Sequence, residues 1–362
     1  MDARQIVRRR LHNLGLAGPP GATPDEVVRR LGAVQSQDYG PAKWSIGERT
    51  TGLTDADLDA AYSAGTILRT HVLRPTWHFV TPADIRWLLR LTAARVHVTN
   101  AHMYRRLELD PALRARCTTL VATALAGGDH RTRGELKALL DAAGVATDGF
   151  RLAYLLMSAE LDGVICSGPL RGRQHTYALL DERVPVTGVP EGDEALAELV
   201  LRYLASHGPA TVHDLRWWSS MPIADLNRGI AALSSQLTWD EVDGVRYWSV
   251  PPADAPDLAA PKVHLLQGYD EYLVGYGPSK HVVDLAGRWS TLAAGTSVPN
   301  GVALLDGQLA GHWRRTLRRR SVTFEVALYE PFDDARTQAL QAAADAQAAF
   351  LERTATVVTT AL

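Results

Sequence analysis

The chain has 362 residues, 46% of them hydrophobic and 22% charged, with a formal net charge of −2. This composition is ordinary for a globular protein with room for two or three cores, and the charge excludes a histone-like blanket of positive residues. No apolar run approaches the ~20 residues of a membrane span.

The N-terminus, "MDARQIVRRRLHNLGLAG", lacks the apolar stretch of a secretory signal. Two cysteines, Cys117 and Cys166, suffice for neither a disulfide framework nor a zinc site, so a reduced, cytoplasmic setting is expected.

In chain order, Thr23-Pro24-Asp25-Glu26 forms a capping box with proline at the first helical position, opening a helix that carries Val27, Val28 and Leu31. A second helix pattern runs from about Thr54 to Ala64. A hairpin follows in "TILRTHVLRPTWHFV" (66–80), with Pro75 at an edge or turn. The stretch from Pro82 to about Ala126 reads as helix, broken near Asp110-Pro111.

The same order then returns twice. Thr132 to Glu135 is a capping box, Phe150 to Leu161 a second helix, and "GVICSGPLRGRQHTYALL" (163–180) a hairpin with a Gly- and Arg-rich tip. Thr211 to Asp214 is a weaker box, Pro222 to Leu237 a second helix, and "LTWDEVDGVRYWSV" (237–250) a hairpin turning at Asp243-Gly244. Helix, turn, helix, hairpin is the winged-helix order, here three times over. "VPVTGVPEGD" (184–193) and "VPPADAPDLAAP" (250–261) read as linkers. From residue 261 the chain predicts a strand meander, with turns at Asp306-Gly307 and Gly311 and alternation from Thr323 to Tyr329. A helix from about Asp333 to Arg353 closes it. The expected fold is therefore α+β and mostly helical. Three tandem winged-helix units occupy 1–81, 82–183 and 184–260, and a small C-terminal α/β element occupies 261–362.

Catalytic signatures are sparse. There is no Gly-x-Gly-x-x-Gly, Walker loop, Gly-x-Ser-x-Gly elbow or His-Glu-x-x-His, and the twelve histidines lack metal-ligand spacing. No cofactor or metal is expected. Only four of the 38 basic residues are lysines. A GC-rich genome accounts for much of that bias, but not for clusters such as Arg171 with Arg173 or "HWRRTLRRR" (312–320). Forked guanidinium groups suit phosphate, and a neutral protein can bind nucleic acid through one basic face.

The segment "AVQSQDYGPAKWSIGER" (33–49) carries Gln35 and Gln37. If the helix from Pro24 ran through Gln37, Gln35 would lie on the apolar stripe and Gln37 would point away. If the helix ended near Val34 and the chain extended, both amides would project to one side and Ser36 to the other. On spacing alone the simpler reading has Gln35 bonding a helix end or buried backbone group and Gln37 in solvent.

With "LRTHVLRPTWHFVTPADIRWLL" (68–89), and more loosely the "YDEYLVGY" (269–276) and "GHWRR" (311–315) stretches, this segment resembles the bacterial winged-helix DNA glycosylases typified by AlkZ and YcaQ. The likeness extends over essentially the whole chain. In that family a Gln-x-Gln or Gln-x-Asp tripeptide carries catalysis. The resemblance therefore implies that Gln35 and Gln37 are catalytic, with Ser36 slightly polar for the middle position.

It further implies a C-shaped molecule whose basic concave face holds duplex DNA carrying alkylated purines. Excision of N-alkylated purines, including adducts in interstrand crosslinks, would follow, by a monofunctional, metal-free enzyme expected to act as a monomer.

Asp38 ranks second as a catalytic group, or serves as helix cap or partner of Lys43. Tyr39 and Trp44 suit aromatic packing beneath the first wing or a place near the lesion, and Trp77 suits the core while His78 faces the cleft. Arg171, Arg173, Arg314, Arg315, Arg318, Arg319 and Arg320 are the expected DNA contacts. The competing reading is a non-catalytic winged-helix transcriptional regulator, which would bind a preferred sequence and leave the glycosidic bond intact.

Overall fold

Capping chemistry starts the first helices where the sequence places them. In the computed structural model, which describes residues 1–18, 20–186, 188, 190–251, 260–288 and 301–362, helix α2 (Pro24–Leu31) follows α1 (Ala3–Asn13). The Thr23 hydroxyl accepts the Glu26 N–H, while the Glu26 carboxylate accepts the Thr23 N–H. Gly32, in the left-handed region at φ 79°, ends the helix and lets the chain turn into strand β1 (Val34–Gln35). Helices α3 (Tyr39–Gly47) and α4 (Asp55–Ala64) and strands β2 (Leu68–His71) and β3 (Trp77–Val80) complete this region, whose sheet has the order β1-β3-β2.

A long helix α5 (Pro82–Arg106) leads to α6 (Pro111–Leu125), with the break at Asp110, whose side chain caps α6. Then come β4 (Arg131–Thr132), α7 (Arg133–Ala142), α8 (Arg151–Leu161), β5 (Ile165–Ser167) and β6 (Thr176–Leu179), with sheet order β4-β6-β5. After the short α9 (Leu180–Arg183) the pattern recurs in α10 (Gly192–His207), α11 (Val212–Ser219), α12 (Ile223–Ala232), β7 (Thr238–Val242) and β8 (Val245–Ser249). Its third strand is reduced to a bridge between Ala210 and Trp248. The β7–β8 turn has both Asp243 and Gly244 at positive φ, as a two-residue hairpin turn requires. Of the two expected linkers, residues 187, 189 and 252–259 lie outside the described residues.

The C-terminal part is a five-stranded sheet of order β13-β12-β11-β10-β9. It contains β9 (Val263–Gln267), β10 (Gly301–Leu305), β11 (Gln308–Leu317), β12 (Ser321–Leu328) and β13 (Thr354–Ala361). Burial alternates along β12, as the sequence predicts. Two expectations change here. Gly311 lies inside β11 rather than at a turn, where a Cβ would press on the Ala327 carbonyl. The closing helix, α14 (Asp334–Phe350), stops earlier than Arg353, and the chain ends as β13, parallel to β12. The crossover through α14 is what allows that parallel pairing.

The result is a helix-rich α+β fold with small sheets. Ile6, Val28, Phe79, Leu204, Trp218, Tyr272 and Tyr276 belong to one continuous core that joins the first region, α10–α12 and the C-terminal part. The residues around α6–α8 have a separate core, with Leu125, Leu136 and Leu156. The short helix α13 (Glu271–Val274) is wedged into the larger core, and this wedge brings the "YDEYLVGY" segment against β1.

Candidate active site

Because α2 ends at Leu31, earlier than either alternative placed it, Gln35 lies in extended chain. It faces His78 across the β1–β3 ladder, and the Ser36 N–H continues the pairing by donating to the Trp77 carbonyl at 2.7 Å. Gln35 is 6% exposed, Ser36 is fully buried and Gln37 is exposed. The continuous-helix alternative is therefore excluded.

Both glutamine oxygens are held by the same hairpin. Arg74 Nη2 donates to Gln35 Oε1 at 2.9 Å, and the Trp77 backbone N–H donates to Gln37 Oε1 at 3.2 Å. Neither partner can accept, so each amide is locked with its oxygen toward the hairpin. Each oxygen keeps a second lone pair. Arg69 fixes the backbone between them, donating to the Ser36 carbonyl at 2.9 and 3.0 Å and to the Gln37 carbonyl at 3.3 Å, with its guanidinium 4.3 Å from the Trp77 ring centre.

Behind Gln35 lies a polar cluster. The Gln35 N–H donates to Glu271 Oε1 at 2.8 Å, and Trp218 Nε1 donates to Glu271 Oε2 at 3.0 Å, with His207 Nε2 3.4 Å from the same oxygen. Burial alone would raise the Glu271 carboxyl. The hydrogen bond and charge of His207, followed by Arg74, outweigh it and hold the group down at about 2. His78 is fully buried and pushed down to about 3, first by burial and then by Arg74. Its tautomer is set by neighbours: Nδ1–H donates to the Thr76 carbonyl at 2.9 Å, leaving Nε2 to accept from Arg74 Nη2 at 3.3 Å. Near Gln35, then, the histidine is neutral with both nitrogens occupied, and the buried carboxylate is engaged by three nitrogen neighbours.

Other expected residues sit as follows. Tyr39 donates to Asp59 at 2.7 Å and packs edge-on against Tyr62, Phe79 and His175, so its role is aromatic packing. Trp44 is 3% exposed. It donates to the Leu265 carbonyl and lies 5.3 Å from Phe350, inside the C-terminal packing rather than beneath the first hairpin. Asp38 occupies the N-cap of α3 but makes no capping bond, and Lys43 pairs with Asp55 and Asp59, both at 2.8 Å, instead. His78 and Trp77 exchange the faces expected of them. His78 points inward, toward the α13 region, and half-buried Trp77 lies under Arg69.

Among the arginines, Arg171 is paired with Glu135 and Arg314 with Glu325, and Arg315 is half-buried. Arg173, Arg318, Arg319 and Arg320 are exposed, with no side-chain partner among the described residues.

Sequence reasoning missed Arg74 and Glu271. The available signals were Arg74 before Pro75 in a hairpin and an acidic pair inside an aromatic run at 269–276. Two of the cavities, of about 820 and 570 Å3, lie elsewhere, one beside α1 and β11 and one between α3 and α14. Neither is lined by the glutamines. No cluster able to hold a metal ion occurs among the described residues. None of their helices is long and apolar enough to cross a membrane.

Fold and site define a class. The family model described as DNA glycosylase AlkZ-like matches residues 28–350, and the chain belongs to that family of N-glycosyl hydrolases. Over 328 residues it is 26% identical to the interstrand DNA cross-link repair glycosylase of Streptomyces sahachiroi, covering 86% of this chain and 87% of that one. Its fold is similar to the solved structure of the Streptomyces sahachiroi DNA glycosylase AlkZ. The TM-score is 0.81 at 23% identity, over 99% of this chain and 100% of that chain.

The buried histidines make stability pH-dependent. His175, like His78, is pushed down, to about 4, by burial and then by Arg69. An unfolded histidine titrates near ~6.5. Below that pH the unfolded chain takes up protons that these two folded histidines refuse, so stability is full above it and declines as pH falls. Glu271 releases its contribution only below the ordinary carboxylate range, so the first part of the decline belongs to the histidines. The urea midpoint should fall between about pH 7.5 and pH 5, and a His78→Gln variant should show a shallower fall. A midpoint that is the same at both pH values would show that the histidines are charged in the native protein.

Proposed function

We propose that this protein is a monofunctional DNA glycosylase that hydrolyses the N-glycosidic bond of N-alkylated purines, N7-alkylguanine and N3-alkyladenine, in duplex DNA. The observation that supports this best is the pair of donor-locked glutamine oxygens beside a histidine and a glutamate that are already engaged by other partners. Alkylation at N7 of guanine or N3 of adenine makes the base a cation, which leaves without being protonated. What remains is to hold a water beneath the anomeric carbon and to stabilise an oxocarbenium-like state. The free lone pairs of Gln35 Oε1 and Gln37 Oε1 can each accept from such a water.

The weak basicity of an amide suits selectivity. A neutral, undamaged base has a much higher barrier, and a site that only positions water lowers it too little. Gln37 is exposed, which suits bulky adducts and bases tethered in an interstrand crosslink, where full flipping is impossible. The relative's name, a cross-link repair glycosylase, supports the same substrate class.

In this reading the three helix–hairpin units are tandem winged helices arranged as a C around the duplex. Arg173 and Arg318 to Arg320 supply phosphate contacts, because their guanidinium groups need leave no partner among the described residues. Asp38 stays second to the glutamines.

Leaving-group dependence tests the chemistry. Duplexes carrying one 7-methylguanine, one hypoxanthine or one uracil should differ sharply. The cationic base should be released, and the two neutral bases should stay at the background rate. Release of hypoxanthine or uracil at a comparable rate would mean that the site supplies an acid, contrary to this mechanism.

A further inference from the structure

We infer that Arg74 and Glu271 are positioning residues for the Gln35 amide, one holding its side-chain oxygen and the other its backbone N–H. The inference rests on the reading of Gln35 as a catalytic residue and extends it to two groups that sequence reasoning did not single out.

Arg74 makes three contacts and lacks a fourth. Nη2 donates to Gln35 Oε1 at 2.9 Å and to His78 Nε2 at 3.3 Å, and Nη1 donates to the Val274 carbonyl at 3.1 Å. Its Nε is buried with no partner, and no carboxylate lies within ion-pair distance among the described residues. A guanidinium placed this way contributes little to the fold, because its desolvation is only partly offset. Its geometry is instead matched to an amide oxygen. The residue before it, Leu73, is fully buried and held at φ 65°, a conformation that a bulky residue rarely adopts. Strain of this sort persists where the surroundings over-determine a position, and here it turns Arg74 toward β1.

Glu271 completes the clamp from the other side of the fold. It accepts the Gln35 N–H at 2.8 Å, across 236 residues of sequence, and Trp218 Nε1 at 3.0 Å. Val274, whose carbonyl anchors Arg74, is the last residue of the same short helix. One segment, 271–274, therefore fixes both the backbone of Gln35 and the arginine that orients its amide. Two consequences follow. The Gln35 amide cannot flip, because a flip would set two donors against each other. In addition, the negative Glu271 offsets Arg74, so an arginine beside the amide need not repel a cationic base or a positively charged transition state.

A double-mutant cycle separates positioning from a merely structural role. Arg74→Met, Arg74→Lys and Glu271→Gln are made in the wild type and in a Gln35→Ala background. Single-turnover release of 7-methylguanine from a duplex is then measured beside DNA affinity. Loss of orientation at a reacting centre costs on the order of 100-fold. Arg74→Met should therefore slow release about 30- to 100-fold while affinity stays within about threefold. Arg74→Lys should restore part of the rate, since an ammonium can still donate to Oε1. Glu271→Gln should slow release about tenfold. In the Gln35→Ala background none of the three should slow it further.

Additive losses in that background, or no loss in the wild type, would overturn the clamp while leaving Gln35 in place. A Gln35→Ala variant as fast as wild type would overturn the clamp together with the reading beneath it.

Discussion

Arg49→Met will cost about 3–5 kcal/mol of stability, the range for removing one partner of a buried ion pair. Arg49 and Asp270 are each 1% exposed and meet in a bidentate pair at 2.7 and 2.8 Å. The same guanidinium donates to the Leu14 carbonyl at 2.7 Å and the Ser45 carbonyl at 2.6 Å. It thereby ties the chain after α1, the end of α3 and the start of α13 at one point. Methionine keeps most of the volume but leaves the Asp270 carboxylate buried with only the Tyr272 N–H, and leaves two carbonyls bare. Urea unfolding followed by tryptophan fluorescence checks the size of the loss. Replacing both partners, Arg49→Met with Asp270→Leu, should recover much of it, because the unpaired charge causes most of the damage. A single variant within about 1 kcal/mol of wild type would contradict the assignment of this pair as the tie between the two halves of the core.

Gln37→Ala and Gln35→Ala will each lower the chemical step on the order of 100-fold or more, the range for losing a group that positions a reactant. The two losses differ in origin. Gln37 is exposed and its oxygen is held by a backbone N–H alone, so its removal deletes the proposed water contact and little else. Gln35 is buried against Arg74, and its removal also leaves a guanidinium hydrogen without its acceptor. Gln35→Ala should therefore cost some stability as well as rate, whereas Gln37→Ala should leave the unfolding midpoint near that of wild type.

Much of the local structure is legible in the sequence because its causes are local. The Thr23, Thr132 and Thr211 capping boxes form as read, and so do the break before Pro111 and the turns at Asp243-Gly244 and Asp306-Gly307. Helix α3 went unread for the opposite reason. Six of its nine residues, Ala42 to Gly47, are buried, so it shows no polar face from which a helical period could be counted. The last strand was hidden because the helical pattern was carried past Phe350. In fact the helix ends at Phe350 with Leu351 as its C-cap, Glu352 follows at φ 55°, and the Thr- and Val-rich run from Thr354 then pairs with β12.

At the site, alternation correctly separated Trp77 from His78 but not which of the two faces inward. That choice depends on α13, which approaches β1 from 236 residues away. Spacing left the glutamines undecided between two geometries, and the family resemblance singled them out. Gly32 is the residue that decides the geometry, since its positive φ ends the helix before Gln35. Arg74 and Glu271 carry only weak local signals, a place before Pro75 and an acidic pair among aromatics. Their meaning lies in contacts across 39 and 236 residues.

The most direct test of the central claim is abasic-site formation on a duplex carrying one 7-methylguanine. Wild type, Gln35→Ala and Gln37→Ala would be compared in single turnover, with spontaneous depurination subtracted and DNA affinity measured in parallel. The expected result is a strand that becomes alkali-labile only at the modified base with wild type, and formation slowed on the order of 100-fold, still measurable above background, with both variants at retained affinity. Sequence-selective binding by all three proteins, with the glycosidic bond intact at the modified base, would contradict it and point to a regulator.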